Sequence, residues 1–271
     1  MHTPGALLAV AEAAVDEVEP LFIQGLGAPP AQQKSGGGFV TQVDWAIEQR
    51  LRTALTQFTG IAVYGEEFGG NLCQDTVWVV DPIDGTANYS AGNPLCGILV
   101  SLLHRGQPVV AVASFPLLGR RVAAAEGGVL RSHGAVAPAS ATTQGGVAPA
   151  GATTQGGVAA ASAIRHVGCS THLSPQNYAN LLSTGLRPRM TGSVGVDTAF
   201  VAQGVFAGAV NYSAHPWDNA AGALLVRAAG GTATDPEGRQ WTAASAGLVV
   251  GTPEVHATLL AALQEQSEEE D

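Results

Sequence analysis

Two aspartates, Asp81 and Asp84, stand at the end of a short apolar run, Val77–Val80, that is predicted to be a buried strand. Pro82 lies between them and cannot donate to a sheet ladder, so the strand is expected to stop there. Two carboxylates held this close repel each other unless a cation lies between them. Hard oxygen ligands favour Mg²⁺, which shares the phosphate oxygens of its substrates.

The residues after the second aspartate suit an anion. Gly85 permits a tight backbone turn, and Thr86, Ala87 and Asn88 are predicted to form the first turn of a helix. The free amides of such a turn point outward and favour a phosphate group. The alternative that this stretch leaves open is a plain turn in which both aspartates cap backbone amides.

Acidic residues recur at two other element ends. Glu66 and Glu67 directly follow the predicted strand Ile61–Tyr64, and Asp218 opens an Ala-rich helix. A solvated acidic loop accounts for the glutamates taken alone, and an ordinary first-turn residue accounts for Asp218. Three unrelated turns explain the whole set less well than one shared metal site.

The elements that must position these groups alternate along the chain. Helices are predicted over 3–19, 44–58, 174–183, 195–204, 217–229 and from 253 onward; strands are predicted over 61–64, 77–80, 97–104, 109–115, 122–125, 205–210 and 247–250. In the second helix, Ile47, Leu51, Leu55 and Phe58 share one apolar face. Strands mixed with helices on this scale indicate an α/β or α+β layered fold.

Composition narrows the class of protein. The 271 residues are 46% hydrophobic and 13% charged, with a formal net charge of -10, which argues against nucleic acid or an anionic membrane as a partner. The N-terminus lacks a basic region before its apolar residues, and no apolar run is long enough to span a bilayer, so a soluble cytoplasmic protein is expected. Three scattered cysteines suggest neither a zinc site nor a disulfide framework.

One segment interrupts the pattern. Residues 135–163 carry AlaThrThrGlnGlyGlyValAla twice and no charge, which predicts a flexible insertion. We therefore expect one domain over 1–271, with an N-terminal half of about 1–134 that carries the main metal site. A C-terminal half of about 164–265 and an acidic tail, 266–271, complete the chain.

Three blocks together resemble the signature blocks of the inositol monophosphatase family: GlyGluGlu at 65–67, AspProIleAspGlyThrAlaAsn at 81–88 and TrpAspAsnAlaAlaGly at 217–222. ThrGlnValAspTrpAlaIleGlu at 41–48 is similar to the family's N-terminal block, and Lys34 lies close to the family's metal-loop lysine. The likeness covers roughly 5–265 except the insertion, and is strongest to the actinobacterial members. It implies an αβαβα sandwich, usually a homodimer, and a magnesium-dependent, lithium-sensitive phosphatase.

The resemblance also implies roles. A first Mg²⁺ is expected on Glu66, Asp81 and the carbonyl of Ile83, a second on Asp81, Asp84 and Asp218, and a weaker third near Asp44 and Glu66. Thr86 is expected to orient the attacking water with Glu66 as base, and Asp218 to guide a proton to the leaving group. The amides of Gly85 and Thr86 would bind phosphate; Gly192, Ser193 and Asn211 fall at the substrate end.

The implied substrate is a small phosphate monoester, first of all inositol 1-phosphate. Histidinol phosphate, fructose 1,6-bisphosphate and a nucleotide 3′-phosphate are the alternatives, and an inactive binding relative is a further one. Asn211 replaces an acidic residue that is usual in the family, which puts polyol specificity in question. His215 is expected to pack beside Trp217, with contact to the substrate as the alternative, and Asp197 has no role that the sequence assigns.

Overall fold

The computed structural model describes residues 3–34, 38–134, 165–169 and 173–264. In these ranges the helices are α1 (Pro4–Gln24), α2 (Gln42–Thr59), α3 (Thr86–Ser90), α4 (Pro175–Ser183), α5 (Val194–Ala202), α6 (Pro216–Ala228) and α7 (Pro253–Gln264). The strands are β1 (Gln32–Gln33), β2 (Phe39–Val40), β3 (Val63–Gly65), β4 (Thr76–Asp84), β5 (Gly97–His104), β6 (Gln107–Phe115), β7 (Arg120–Ala125), β8 (Arg131–His133), β9 (His166–Cys169), β10 (Arg187–Arg189), β11 (Gly208–Asn211), β12 (Thr232–Thr234) and β13 (Leu248–Gly251). The predicted insertion and acidic tail lie outside the described residues.

Two sheets and three layers of helices form the sandwich. The six-stranded sheet has the order β3-β4-β5-β6-β7-β8, and the five-stranded sheet has the order β10-β9-β11-β13-β12. Helices α1 and α2 pack on the outer face of the first sheet, α5 and α6 contact both sheets, and α4 and α7 pair over the second. This αβαβα arrangement confirms the predicted fold class. Among the described residues, one buried apolar cluster lies between α1, α2 and the first sheet, one joins α5 and α6 to both sheets, and one lies between the second sheet and α4 and α7.

The second helix shows how sequence sets an element that carries the site. Thr41 caps α2 in a reciprocal capping box with Asp44, and Gly60 ends the helix in the left-handed conformation. Ile47, Leu51 and Leu55 are fully buried, as their spacing predicts. Phe58 is 65% exposed, contrary to the prediction, because the buried face of α2 ends at Leu55.

Strand β4 does not stop at Pro82, which corrects the prediction made from that residue. Asp81 pairs with Leu99 and Asp84 with Gly97, so three steps on β4 match two on β5. The extra residue forms a bulge. Proline has no amide hydrogen to donate to the sheet, and a bulge accommodates that absence. The strand therefore carries both aspartates to its end.

Six short strands, β1, β2, β8, β9, β10 and β12, were not predicted, because two to four residues are too few to show a period. The predicted strand over 205–210 begins instead at Gly208. Within the described ranges, no helix is both long and apolar enough to cross a membrane.

Candidate active site

The end of β4 and the turn after it bring together the two predicted carboxylates and the backbone predicted to bind phosphate. Asp81 and Asp84 are 2% and 4% exposed, and Asp81 Oδ1 accepts the Ile83 amide at 3.0 Å. Gly85 takes φ of +83°, and a Cβ built on it would lie 3.1 Å from the Leu95 carbonyl oxygen. Only glycine meets both demands, so the backbone here is fixed by close approach as well as by conformation. The helix predicted from Thr86 is α3.

Asp44 and Thr86 meet although 42 residues separate them. Asp44 is fully buried, and its Oδ2 accepts the amide and the hydroxyl of Thr41 at 2.8 and 2.5 Å. Thr86 Oγ1 lies 3.4 Å from Asp44 Oδ1 and 3.0 Å from the Ile83 carbonyl oxygen. The Thr86 hydroxyl is thus held at the edge of the carboxylate cluster.

The Glu66–Glu67 turn faces a lysine from the β1–β2 hairpin region. Lys34 Nζ lies 2.6 Å from Glu66 Oε1 and 2.6 Å from Glu67 Oε1. Burial opposes the charge on Lys34, but the two glutamates outweigh it and raise its pKa. The lysine therefore stays charged. It supplies positive charge beside Glu66, which was predicted to be a ligand of the first metal ion.

Glu48 supports this turn, a role that the sequence did not predict. It is fully buried; Oε2 accepts the Glu67 amide at 2.7 Å, and Oε1 accepts the Phe68 amide at 3.1 Å. Arg52 Nε donates to Oε1 at 2.9 Å from one turn farther along α2. The available signal was the spacing of Asp44 and Glu48, two acids four residues apart on one helix face.

Residues 192–195, where the sequence predicts the substrate end, pack against the turn after β4. Asp84 accepts the Val194 amide at 3.1 Å on Oδ1, and the Gly195 amide at 2.9 Å and the Ser193 hydroxyl on Oδ2. Gly192 is close to the amide of Asn88, which donates to the Thr191 carbonyl oxygen at 2.8 Å. The structure thus brings 192–195 to Asp84, although more than 100 residues separate them.

Asp218 stands in the first turn of α6, as predicted, and has a side-chain hydrogen bond with Ser213. His215 stacks on Trp217 with ring centroids 4.3 Å apart, which confirms the expected packing. Asn211 is 6% exposed. Its side-chain Nδ2 donates to Asn219 Oδ1 at 2.8 Å, and its Oδ1 accepts the backbone amide of Ser213 at 3.3 Å. Its side chain is therefore engaged in shaping the loop before α6.

The carboxylates share one electrostatic environment. Burial, with the charges of Glu66, Asp84 and Asp218, raises the pKa of Asp81 well above its usual range. Burial also raises the pKa of Asp84 to about 6, against the opposing hydrogen bonds from 193–195, and that of Asp218 to about 7. Asp218 as a residue is partly exposed, so its shift reflects the carboxyl end that faces the cluster.

A cation would relieve this crowding, since acids that raise one another's pKa bind a positive charge favourably. The donor set fits a hard divalent ion, because every predicted ligand is a carboxylate or carbonyl oxygen. In the part of the chain that the structure describes, no three such side chains converge as a ready coordination group.

The model of the inositol monophosphatase family matches residues 6–269. The probable inositol 1-monophosphatase ImpA of Mycobacterium tuberculosis is 42% identical over 98% of this chain and 96% of its own length. The chain belongs to the inositol monophosphatase family. The inositol-1-monophosphatase ImpA of Mycolicibacterium smegmatis is 39% identical over 98% of this chain and 95% of its own length.

The fold agrees with this family. The solved structure of an IMPase from Thermotoga maritima superposes with a TM-score of 0.78 at 23% identity, covering 93% of this chain and 94% of its own. The resemblance inferred from the signature blocks, and its strength toward actinobacterial members, are therefore confirmed. The protein is a phosphoric monoester hydrolase of a metal-dependent family.

Proposed function

We propose that this inositol monophosphatase family member hydrolyses inositol 1-phosphate to inositol and phosphate with Mg²⁺ as its cofactor. The observation that carries the proposal is the mutual effect of four buried or half-buried carboxylates: the charges of Glu66, Asp84 and Asp218 raise the pKa of Asp81, and those of Glu66 and Asp84 raise the pKa of Asp218. Both mycobacterial relatives named above are called inositol 1-monophosphatases, which favours this substrate among phosphate monoesters.

The carboxylates and one backbone carbonyl at the end of β4 and around it are the proposed metal ligands. Glu66, Asp81 and the Ile83 carbonyl would hold one ion, and Asp81, Asp84 and Asp218 a second. Asp44 and Glu66 would steady a third, so two to three Mg²⁺ are proposed for each chain. When bound, Mg²⁺ neutralises phosphate oxygens and lowers the pKa of water at the site. Li⁺ is proposed to compete at the second position.

The protein groups divide the proton transfers between them. The Thr86 hydroxyl, held between Asp44 Oδ1 and the Ile83 carbonyl oxygen, accepts a hydrogen bond from the attacking water and orients it. Glu66 takes the proton of that water as general base. The water oxygen attacks phosphorus while the bond to the inositol oxygen breaks, and Asp218 guides a proton to that leaving oxygen.

Phosphate binding is assigned to the amides of Gly85 and Thr86 at the start of α3. Amides fixed in place cost no reorganisation when charge develops on the phosphoryl oxygens. The tight packing of Gly85 against 192–193 fixes them, because a side chain at Gly85 would push this segment away. Gly192 and the backbone of Ser193 are proposed to border the inositol ring. A cytoplasmic homodimer is proposed from the family alone.

Phosphate release by the purified chain with Mg²⁺ tests the proposal. Inositol 1-phosphate is compared with histidinol phosphate, fructose 1,6-bisphosphate and adenosine 3′,5′-bisphosphate. Asp84→Asn should lower kcat/KM by about 100-fold or more through loss of a metal ligand. Asp75→Asn makes the same chemical change at an exposed position before β4 and should leave the rate unchanged.

The outcomes separate substrate from chemistry. Preference for inositol 1-phosphate that Asp84→Asn abolishes supports the whole proposal. Preference for another ester keeps the metal chemistry and overturns the substrate. Absence of release from all four esters, with Mg²⁺ still bound by the chain, would point to an inactive binding relative.

A further inference from the structure

Ser193 is nearly closed to solvent, which distinguishes it from a residue that touches substrate. The residue is 4% exposed, and its hydroxyl carries one hydrogen. That hydrogen is donated to Asp84 Oδ2, while the hydroxyl oxygen accepts the Val196 amide at 3.1 Å as the N-cap of α5. No hydrogen is left for a substrate oxygen.

Asp84 in turn has most of its acceptor sites in use. A carboxylate offers about four lone-pair sites. Oδ2 accepts the Ser193 hydroxyl and the Gly195 amide, and Oδ1 accepts the Val194 amide. One site on Oδ1 remains, so the contacts from α5 select the oxygen that can face an ion.

The segment that makes these contacts is itself held from two sides. Thr191 Oγ1 lies 2.8 Å from Asp197 Oδ1 and accepts the Ser193 amide at 3.2 Å. Asn88 donates to the Thr191 carbonyl oxygen at 2.8 Å. This accounts for Asp197, which the sequence left without a role: it lies one helical turn beyond Ser193 and closes the loop that carries it.

We propose that Ser193 is a positioning residue of the metal site, which fixes the carboxylate of Asp84 so that Oδ1 is presented to a divalent ion. The proposal rests on the proposed function, since it takes Asp84 as a metal ligand. It places the hydroxyl behind the ligand instead of on the substrate. Partners that orient a ligand in this way typically contribute 10–100-fold to metal affinity.

Direct metal binding tests it without turnover. Mn²⁺, which accepts the same oxygen ligands, is titrated into the full chain and the free ion is followed by EPR. Ser193→Ala should weaken the affected Mn²⁺ site by about 10- to 100-fold. Ser193→Thr keeps a hydroxyl and should restore most of the affinity.

A matched control separates positioning from loss of a helix cap. Ser174 caps α4, and its hydroxyl accepts the Asn177 amide at 3.1 Å. Ser174→Ala and Ser193→Ala should both lower the melting temperature, since each removes a cap. Only Ser193→Ala should change the Mn²⁺ affinity.

Three results would overturn the inference. The first is Ser193→Ala with wild-type Mn²⁺ affinity and a raised KM, which makes the hydroxyl a substrate contact. The second is an equal loss of affinity in Ser174→Ala, which makes the effect one of stability. The third is a wild-type chain that binds no Mn²⁺, which removes the proposed function together with this inference, whereas the first two leave that function standing.

Discussion

The buried glutamate behind the Glu66–Glu67 turn gives the sharpest stability prediction. Glu48→Gln keeps the shape of the side chain and replaces one oxygen by an NH₂ group. Oε1 faces the Arg52 Nε and the Phe68 amide, and Oε2 faces the Glu67 amide. Either orientation of the new amide therefore sets a donor against a donor in a site closed to water.

The magnitude follows from what is lost and what remains. Breaking a buried ion pair costs roughly 3–5 kcal/mol. Arg52 keeps its hydrogen bond to the Val63 carbonyl oxygen at 2.9 Å and another to Gly69, so its charge is not stranded. The glutamine also keeps at least one amide hydrogen bond in its better orientation. We expect the free energy of unfolding to fall by about 3 kcal/mol, the lower end of that range.

Urea unfolding followed by circular dichroism measures this loss, with the slope m checked for constancy. Glu12→Gln is the matched control, because Glu12 pairs with Arg131 through side chains that are 21% and 46% exposed. An exposed pair contributes about 1 kcal/mol or less. A loss in Glu48→Gln no larger than in Glu12→Gln would refute the reasoning that this carboxylate anchors the turn.

Two further predictions concern the turn after β4 and its carboxylates. Gly85→Ala should lower the free energy of unfolding by about 1–2 kcal/mol because of its positive φ. Crowding against Leu95 should lower it further and remove most of the phosphatase rate. Gly92→Ala, with φ of +75° and open space around it, should show only the cost of the positive φ and should keep the rate. Burial raises the pKa of Asp44 and Asp84 to about 6, so below pH 6 the native state holds protons that the unfolded state releases above about pH 4. In EDTA, the free energy of unfolding measured in urea should therefore fall as the pH rises from about 4 to 6, and it should fall less steeply for Asp84→Asn. Mg²⁺ should restore stability at pH 7. A wild-type profile as shallow as that of Asp84→Asn would contradict the account based on buried charge.

Much of this protein was predictable from local pattern. The helices that carry Asp44 and Asp218 were predicted from apolar spacing, and strand β5 was predicted with its observed bounds. Periodicity and turn chemistry act within a few residues, so a sequence states them directly. The signature blocks likewise identified the family, because each block is contiguous.

The tertiary structure decided which groups support those blocks. Glu48 reaches the turn at 66–68 from a helix one element earlier, and Ser193 reaches Asp84 across 109 positions. Lys34 pairs with Glu66 across 32 positions. The physical reason is that a carboxylate takes its hydrogen-bond donors from whatever the packing of layers sets beside it. The sequence therefore determined which acidic residues are present, and the packing determined which of their oxygen lone pairs remain without a hydrogen-bond donor.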